Sequence, residues 1–324
     1  MDIELQYGLL GKKKQQWVDF LAQADLEADE NVDSTVLVWD ADRLAATGSR
    51  KGNLLKCIAV SEDYQGQGLT ATVLTQLRQD AFADGHKHLF LYTKPKNLLQ
   101  FQSLFFYPVV QTAQVLLMED KPQGITRFLD GFTAVKTDGR IGALVMNCNP
   151  FTLGHRHVIE TAAKECDHVY VFVLSEEQPP FPAADRLQLV KEGTEDLQNV
   201  TVLPTGPYLI SSATFPTYFL KDREQAATAQ CNLDIALFCR YYIPKFGITH
   251  RYVGSEPASA LTNAYNCALK AQLPITVVEI PRLEADGAPI SASTVRHLMG
   301  TGQIEKIRTL VPHTTFAYLE KHVL

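Results

Sequence analysis

The chain has 324 residues, 46% hydrophobic and 20% charged, a balance that suits a globular protein with length for two domains. Its formal net charge is −6, and neither half carries the excess of Lys and Arg that a nucleic-acid binder needs; the short run Lys12 to Lys14 fits a solvated helix face. No run of about 18 uncharged apolar residues marks a membrane span, and MDIELQYGLLGKKKQQW orders charge and apolarity wrongly for a secretory signal, so a cytoplasmic location is expected.

In chain order, residues 35 to 60 read as antiparallel strands, with TVLVWDADRLAATG followed by LLKCIAV. DYQGQGLTATVLTQLRQDAFADG then opens on glycines and continues with Val73, Leu74, Leu77 and Ala81 at helical spacing, before the strand HLFLYT. From residue 139 onward the pattern becomes regular α/β alternation. A strand at IGALVMN leads to a helix over 152–165, a strand at HVYVFVL and a helix over 183–197; VTVLP, HRYVGSE and ITVVEIP follow as buried strands. Continuous apolar strands between helices predict a parallel sheet covered on both faces, with ligands beyond the carboxyl ends of its strands. The stretch TDGRIG places the boundary between a domain at 1–136 and a domain at 137–324. The six cysteines (Cys57, Cys148, Cys166, Cys231, Cys239, Cys267) form no CxxC pair and are expected as reduced core residues, with no zinc site.

The first strand of the second domain runs into NPFTLGH, starting at Asn149. Thr152 can cap the following helix, Gly154 permits a close approach to the backbone, and His155 falls in the first turn. Amides at a helix start attract anions, and an imidazole beside them makes a phosphate pocket; TLGH alone fits a capped helix with a solvent-facing histidine equally well. A second entrance follows the last strand, in PISASTVRHLMG. Ser291, Ser293 and Thr294 are cap formers there, and Arg296 one turn in offers a guanidinium fork for phosphate oxygens. Arg186 could reach a phosphate, although a helical arginine after Asp185 is more often a surface residue. Gly254, Ser255 and Glu256 end the strand HRYV, where a base or ribose could dock or the chain could simply turn. Ser211, Ser212 and Thr214 lie in a polar and aromatic loop that could border an acceptor pocket.

The paired TxGH and ISxSTxR helix starts resemble those of the TxGH nucleotidyltransferase superfamily. That resemblance implies that His155 stabilises the α-phosphate in flight, while Ser293, Thr294 and Arg296 hold the β- and γ-phosphates of ATP. With PFPAADRLQLVKEG, GPYLISSATFPTYFLKD and GITHRYVGSEPASALTNAYN added, nearly the whole chain resembles the citrate lyase ligase family. The implied fold is an acetyltransferase-like mixed α/β domain followed by a doubly wound, Rossmann-like parallel-sheet domain. The implied activity acetylates the thiol of the citrate lyase acyl carrier protein, using ATP, acetate and Mg²⁺ through acetyl adenylate, with no metal ligand assignable from the sequence. A plain adenylyltransferase acting on a phosphate-bearing acceptor is the alternative. In the first domain, YQGQGLT resembles the GCN5-related acetyltransferase loop that cradles coenzyme A, with Gln65, Gly66 and Gly68 in matching places. Thr70 and Phe106 depart from that family's pattern. The loop's expected ligand is the carrier's coenzyme A-derived arm.

Overall fold

The computed structural model describes residues 1–209, 215–220, 223–255, 260–285 and 287–322. It divides into two compact units, Met1–Arg127 with Pro216–Ala236, and Phe128–Phe215 with Leu237–Leu324. The chain thus leaves the second unit partway and gives Pro216–Ala236 to the first, whereas the sequence pattern suggested a single break.

The first unit is built on seven strands: β1 (Asp2–Gln6), β2 (Ser34–Asp40), β3 (Arg43–Lys51), β4 (Leu54–Val60), β5 (Phe90–Thr93), β6 (Tyr107–Gln111) and β7 (Leu116–Glu119). Their order in the sheet is β1-β2-β3-β4-β5-β7-β6. Every pairing is antiparallel except β4 with β5, which shares only the rungs Leu54↔Phe90 and Leu55↔Leu91. Beyond those rungs the two strands part. The helix Leu69–Ala83 lays Leu69, Val73, Leu74, Leu77 and Ala81 on the sheet, the face that the sequence spacing predicts. At its far end, buried Asp80 pairs with buried Arg50 and accepts hydrogen bonds from Ser34 Oγ at 2.5 Å and Tyr7 Oη at 2.8 Å. Phe106 is fully buried against Phe101 and is a core residue.

The second unit carries β8 (Ile141–Met146), β9 (His168–Val173), β10 (Val200–Pro204), β11 (His250–Gly254) and β12 (Thr276–Ile280). All pairings are parallel and the order is β10-β9-β8-β11-β12. The connection therefore reverses direction between β8 and β11, the switch point at which doubly wound sheets bind ligands. Those two strands pair only at Gly142 and Ala143, so they separate toward their carboxyl ends. The helix Ala183–Glu192 stops five residues before the expected end, at Gly193. A short hairpin, β13 (Glu284–Ala285) with β14 (Ala288–Pro289), joins β12 to the helix Ala292–Gly300. Among the described residues no helix is long and apolar enough to cross a membrane.

Candidate active site

The helix Leu153–Glu165 begins directly beyond β8 with Thr152 as its cap. Thr152 Oγ1 accepts from the His155 amide at 3.3 Å, and His155 Nδ1 accepts from the Thr152 amide at 3.1 Å. This is a capping box in which histidine replaces the usual Glu or Gln. The replacement fixes the tautomer. An amide can only donate, so Nδ1 must be the bare nitrogen and the ring proton sits on Nε2. Burial, with the Arg282 cation adding to it, pushes the imidazole pKa down to about 4. His155 is therefore a neutral Nε2–H donor at pH 7, and its ring lies at 6.1 Å from Phe151 with 17° between planes.

Gly154 has a specific neighbour. A Cβ there would stand 2.8 Å from the Ile290 carbonyl, so the glycine lets the first helix start abut the segment that leads into the second. That second start is capped by Ser291, whose Oγ accepts from the Thr294 amide at 3.1 Å and lies 2.8 Å from both the Ser293 and Thr294 hydroxyls. Ser293, Thr294 and Arg296 are exposed. Arg296 Nη1 donates to the Asn149 carbonyl, tying the second helix to the end of β8. Asn149 itself is buried, with Nδ2 donating to the Pro179 carbonyl at 3.1 Å, while its Oδ1 has no hydrogen-bond partner among the described residues. The two helix starts that the sequence paired are thus brought together by side-chain and backbone contacts.

Gly254 and Ser255 also end at this side of the sheet. The Gly254 carbonyl accepts from Asn266 Nδ2 at 3.0 Å, and the Ser255 amide donates to the Ile280 carbonyl at 2.8 Å. Arg282, which sequence reasoning passed over, donates from Nε to the Ser255 carbonyl at 2.9 Å. It stands two residues past β12 and acts on His155, so it joins the end of β11 to the capped histidine. A cation just beyond a strand's carboxyl end was the available signal.

Arg186 is a correction. It is fully buried, and its two terminal nitrogens donate to the Asn147 backbone and side chain and to the Glu176 carbonyl. The guanidinium clamps the ends of β8 and β9 together from a fully buried position, its terminal nitrogens engaged by these internal acceptors and only Nε without a partner among the described residues. Cys148 is fully buried beside it, with its thiol pushed above the ordinary range by burial. Glu256, Ser211, Ser212 and Thr214 lie outside the described residues.

The first unit has a different helix start. Gly66 and Gly68 both have φ 77°, and Gly68 is the cap of the helix Leu69–Ala83 with no side-chain cap bond. A Cβ at either glycine would meet nothing within 4 Å, so the left-handed backbone, and not crowding, asks for glycine. Gln65, Gly66, Gly68 and Thr70 line a cavity of about 990 Å³ at the parting of β4 and β5.

The model of the citrate lyase ligase C-terminal domain matches residues 141–319, and that of the GNAT acetyltransferase family matches 13–100. A [citrate [pro-3S]-lyase] ligase of Klebsiella pneumoniae is 39% identical over 96% of this chain and 94% of its own length. The chain belongs to the citrate lyase ligase family. A second member, from Escherichia coli K12, is 37% identical over 95% of this chain and 91% of its own length. One from Haemophilus influenzae is 36% identical over 93% of each. The family accounts for both units: an acetyltransferase-like mixed α/β unit, and a doubly wound parallel sheet bearing TLGH and ISASTVR.

Proposed function

We propose that the chain activates citrate lyase by acetylating the thiol of its acyl carrier protein, using ATP and acetate. An acetate oxygen attacks the α-phosphorus of ATP, the bond to the β-phosphate breaks, and pyrophosphate leaves with acetyl adenylate behind. The carrier's thiol sulfur then attacks the acetyl carbonyl, the thiol proton passes to water, and AMP leaves. Acetate is already an anion at neutral pH, so the first step needs no general base.

The observation that carries this reading is the capping box that holds His155 as a neutral Nε2–H donor between the two helix starts. A donor fixed in advance stabilises charge developing on the α-phosphate without reorganisation, which is where most of the rate of such transfers arises. Ser293, Thr294 and Arg296 bind the β- and γ-phosphates in this account. Arg296 keeps donors beyond the one given to Asn149. Gly254 and Ser255 border the nucleoside. Among the described residues no group of three or more His, Cys, Asp or Glu could hold a metal ion, so magnesium is assigned to the triphosphate, where it would screen charge, and no step is routed through it.

The cleft of the first unit holds the carrier's coenzyme A-derived arm. Its support is the Gly66–Gly68 helix start, whose uncapped amides suit a pyrophosphate.

Acetate-dependent exchange of labelled pyrophosphate into ATP, without carrier, tests the assignment. Exchange that requires acetate and vanishes in His155→Ala is expected. AMP transfer to a phosphopantetheine phosphate, with no acetate-dependent exchange, would overturn the acceptor.

A further inference from the structure

The cleft of the first unit has a vertex, and a residue from far along the chain fills it. Strands β4 and β5 share their last rung at Leu55 and Leu91. Cys57 then takes φ 53° and the register of β4 against β3 slips between Thr47 and Ser49, a bulge that turns β4 away. Into this gap comes Tyr218, from the stretch Pro216–Ala236 that packs with the first unit. Its hydroxyl donates to the Tyr92 carbonyl on β5 at 2.8 Å, and the phenol lies close enough to Cys57 on β4 to feel its charge. One phenol therefore stands in the gap where the strands' own ladder stops. The Tyr218 carbonyl accepts from the Glu27 amide at 2.7 Å, and Phe219 packs edge-on to Tyr218 at 5.1 Å. Both rings are buried, at 7% and 4% exposure, yet both line the cavity.

We infer that Tyr218 and Phe219 stopper the vertex, so that the cleft accepts a phosphopantetheine-type arm as the free thiol and rejects it once acetylated. This rests on the proposal that the cleft holds such an arm. An acetyl thioester is longer by two carbons and carries a carbonyl that needs a donor. The Tyr218 hydroxyl, a donor at the vertex, is already given to the Tyr92 carbonyl. The added bulk meets two buried rings that can yield only by repacking. The vertex also lacks transfer chemistry. The Cys57 thiol is fully buried and pushed up to about 12, and the Tyr218 phenol is raised well above its ordinary value by burial. The cleft is thus a holding site whose closed end favours departure of the product.

The test is calorimetric titration of the whole chain with coenzyme A and with acetyl coenzyme A. Coenzyme A should bind at least tenfold more tightly to the wild type, Tyr218→Phe should keep the preference because it keeps the ring, and Tyr218→Ala should bring the two affinities within about twofold. Equal affinities in the wild type would overturn the stopper while leaving the cleft as the arm's site. Binding of neither compound would overturn the cleft assignment and the stopper with it. If Tyr218→Ala does not fold, Phe219→Leu, which removes one ring and keeps the Tyr218 phenol, should narrow the preference; an unchanged ratio there would overturn the stopper.

Discussion

Each unit opens a cleft in the same way and furnishes it differently. In both, a parallel strand pair holds two rungs and then parts, β4 from β5 and β8 from β11, and a helix starts beside the gap. The first unit starts its helix with left-handed glycines and no side-chain cap. The second starts the two helices at its site with hydroxyl caps, and one cap enlists a histidine. A start of bare amides offers a site for an anion. One in which a cap fixes an imidazole proton adds a side-chain donor set in advance toward charge that develops in a reaction. On the proposed assignment, the same sheet geometry serves a holding site in one unit and a reacting site in the other.

The sharpest way to break this contrast is His155→Ala. Loss of a preorganised donor to developing charge should lower kcat for pyrophosphate exchange on the order of a hundredfold to a thousandfold, with a smaller change in the KM for ATP. A shift confined to KM would reduce His155 to a binding residue and erase the distinction between the clefts. Next in size are Arg296→Ala and Arg282→Gln, each removing a charge-assisted donor from the second unit's entrance. Each should cost roughly tenfold to a hundredfold in kcat/KM. Arg282→Lys should recover part of the loss if charge toward His155 matters, and none if only the bond to Ser255 does.

In the first unit, Gly68→Val forces a β-branched residue into a left-handed cap. The KM for the carrier should rise roughly tenfold while carrier-independent exchange stays intact. Exchange that fell equally would mean that the two clefts do not divide the labour.

Much of this was legible in the sequence, and what was not has a physical reason. TLGH and ISASTVR could be read as paired helix starts because caps are local: Thr152 acts on His155 and Ser291 on Thr294, each three residues away. Parallel strands could be read from apolar runs. Arg186 looked like a surface or phosphate-binding cation because its acceptors are not local, Asn147 lying 39 positions before it. Arg282 escaped notice because its partner carbonyl is 27 residues earlier. Tyr218 was out of reach altogether, since it bonds a carbonyl 126 residues away, and its stretch has no composition that sets it apart from the second unit. Spacing shows what a residue can do for its own turn of helix, not which strand it will bridge.

The acidic range sharpens the contrast further. Burial holds His155 down to about 4, below the roughly 6.5 of an exposed histidine. Between those values the unfolded chain binds a proton that the folded chain refuses, so this group's contribution to stability is present above about pH 6.5 and is lost as pH falls toward 4. Denaturant unfolding at pH 7 and pH 5 should show a larger loss for the wild type than for His155→Gln, which cannot titrate. Equal losses would mean that His155 is not held neutral.

The smallest effect tests the cap itself. Thr152→Ala removes the hydroxyl that takes the His155 amide, and by helix capping alone should cost about 1 kcal/mol of stability, much as Ser291→Ala should at the other entrance. The two variants part company in catalysis. At Ser291 the cap touches only hydroxyls and an amide, whereas at Thr152 the hydroxyl also lies 2.9 Å from His155 Nδ1 and steadies the ring. Thr152→Ala should therefore lose several-fold in kcat beyond its stability cost, and Thr152→Ser, which keeps the oxygen, should recover both. The Thr152 amide still donates to Nδ1 in either variant, so the tautomer survives and the loss stays well short of His155→Ala. If Thr152→Ala and Ser291→Ala lowered kcat equally, the histidine's place in the capping box would be structural, and the reacting cleft would owe its chemistry to its arginines.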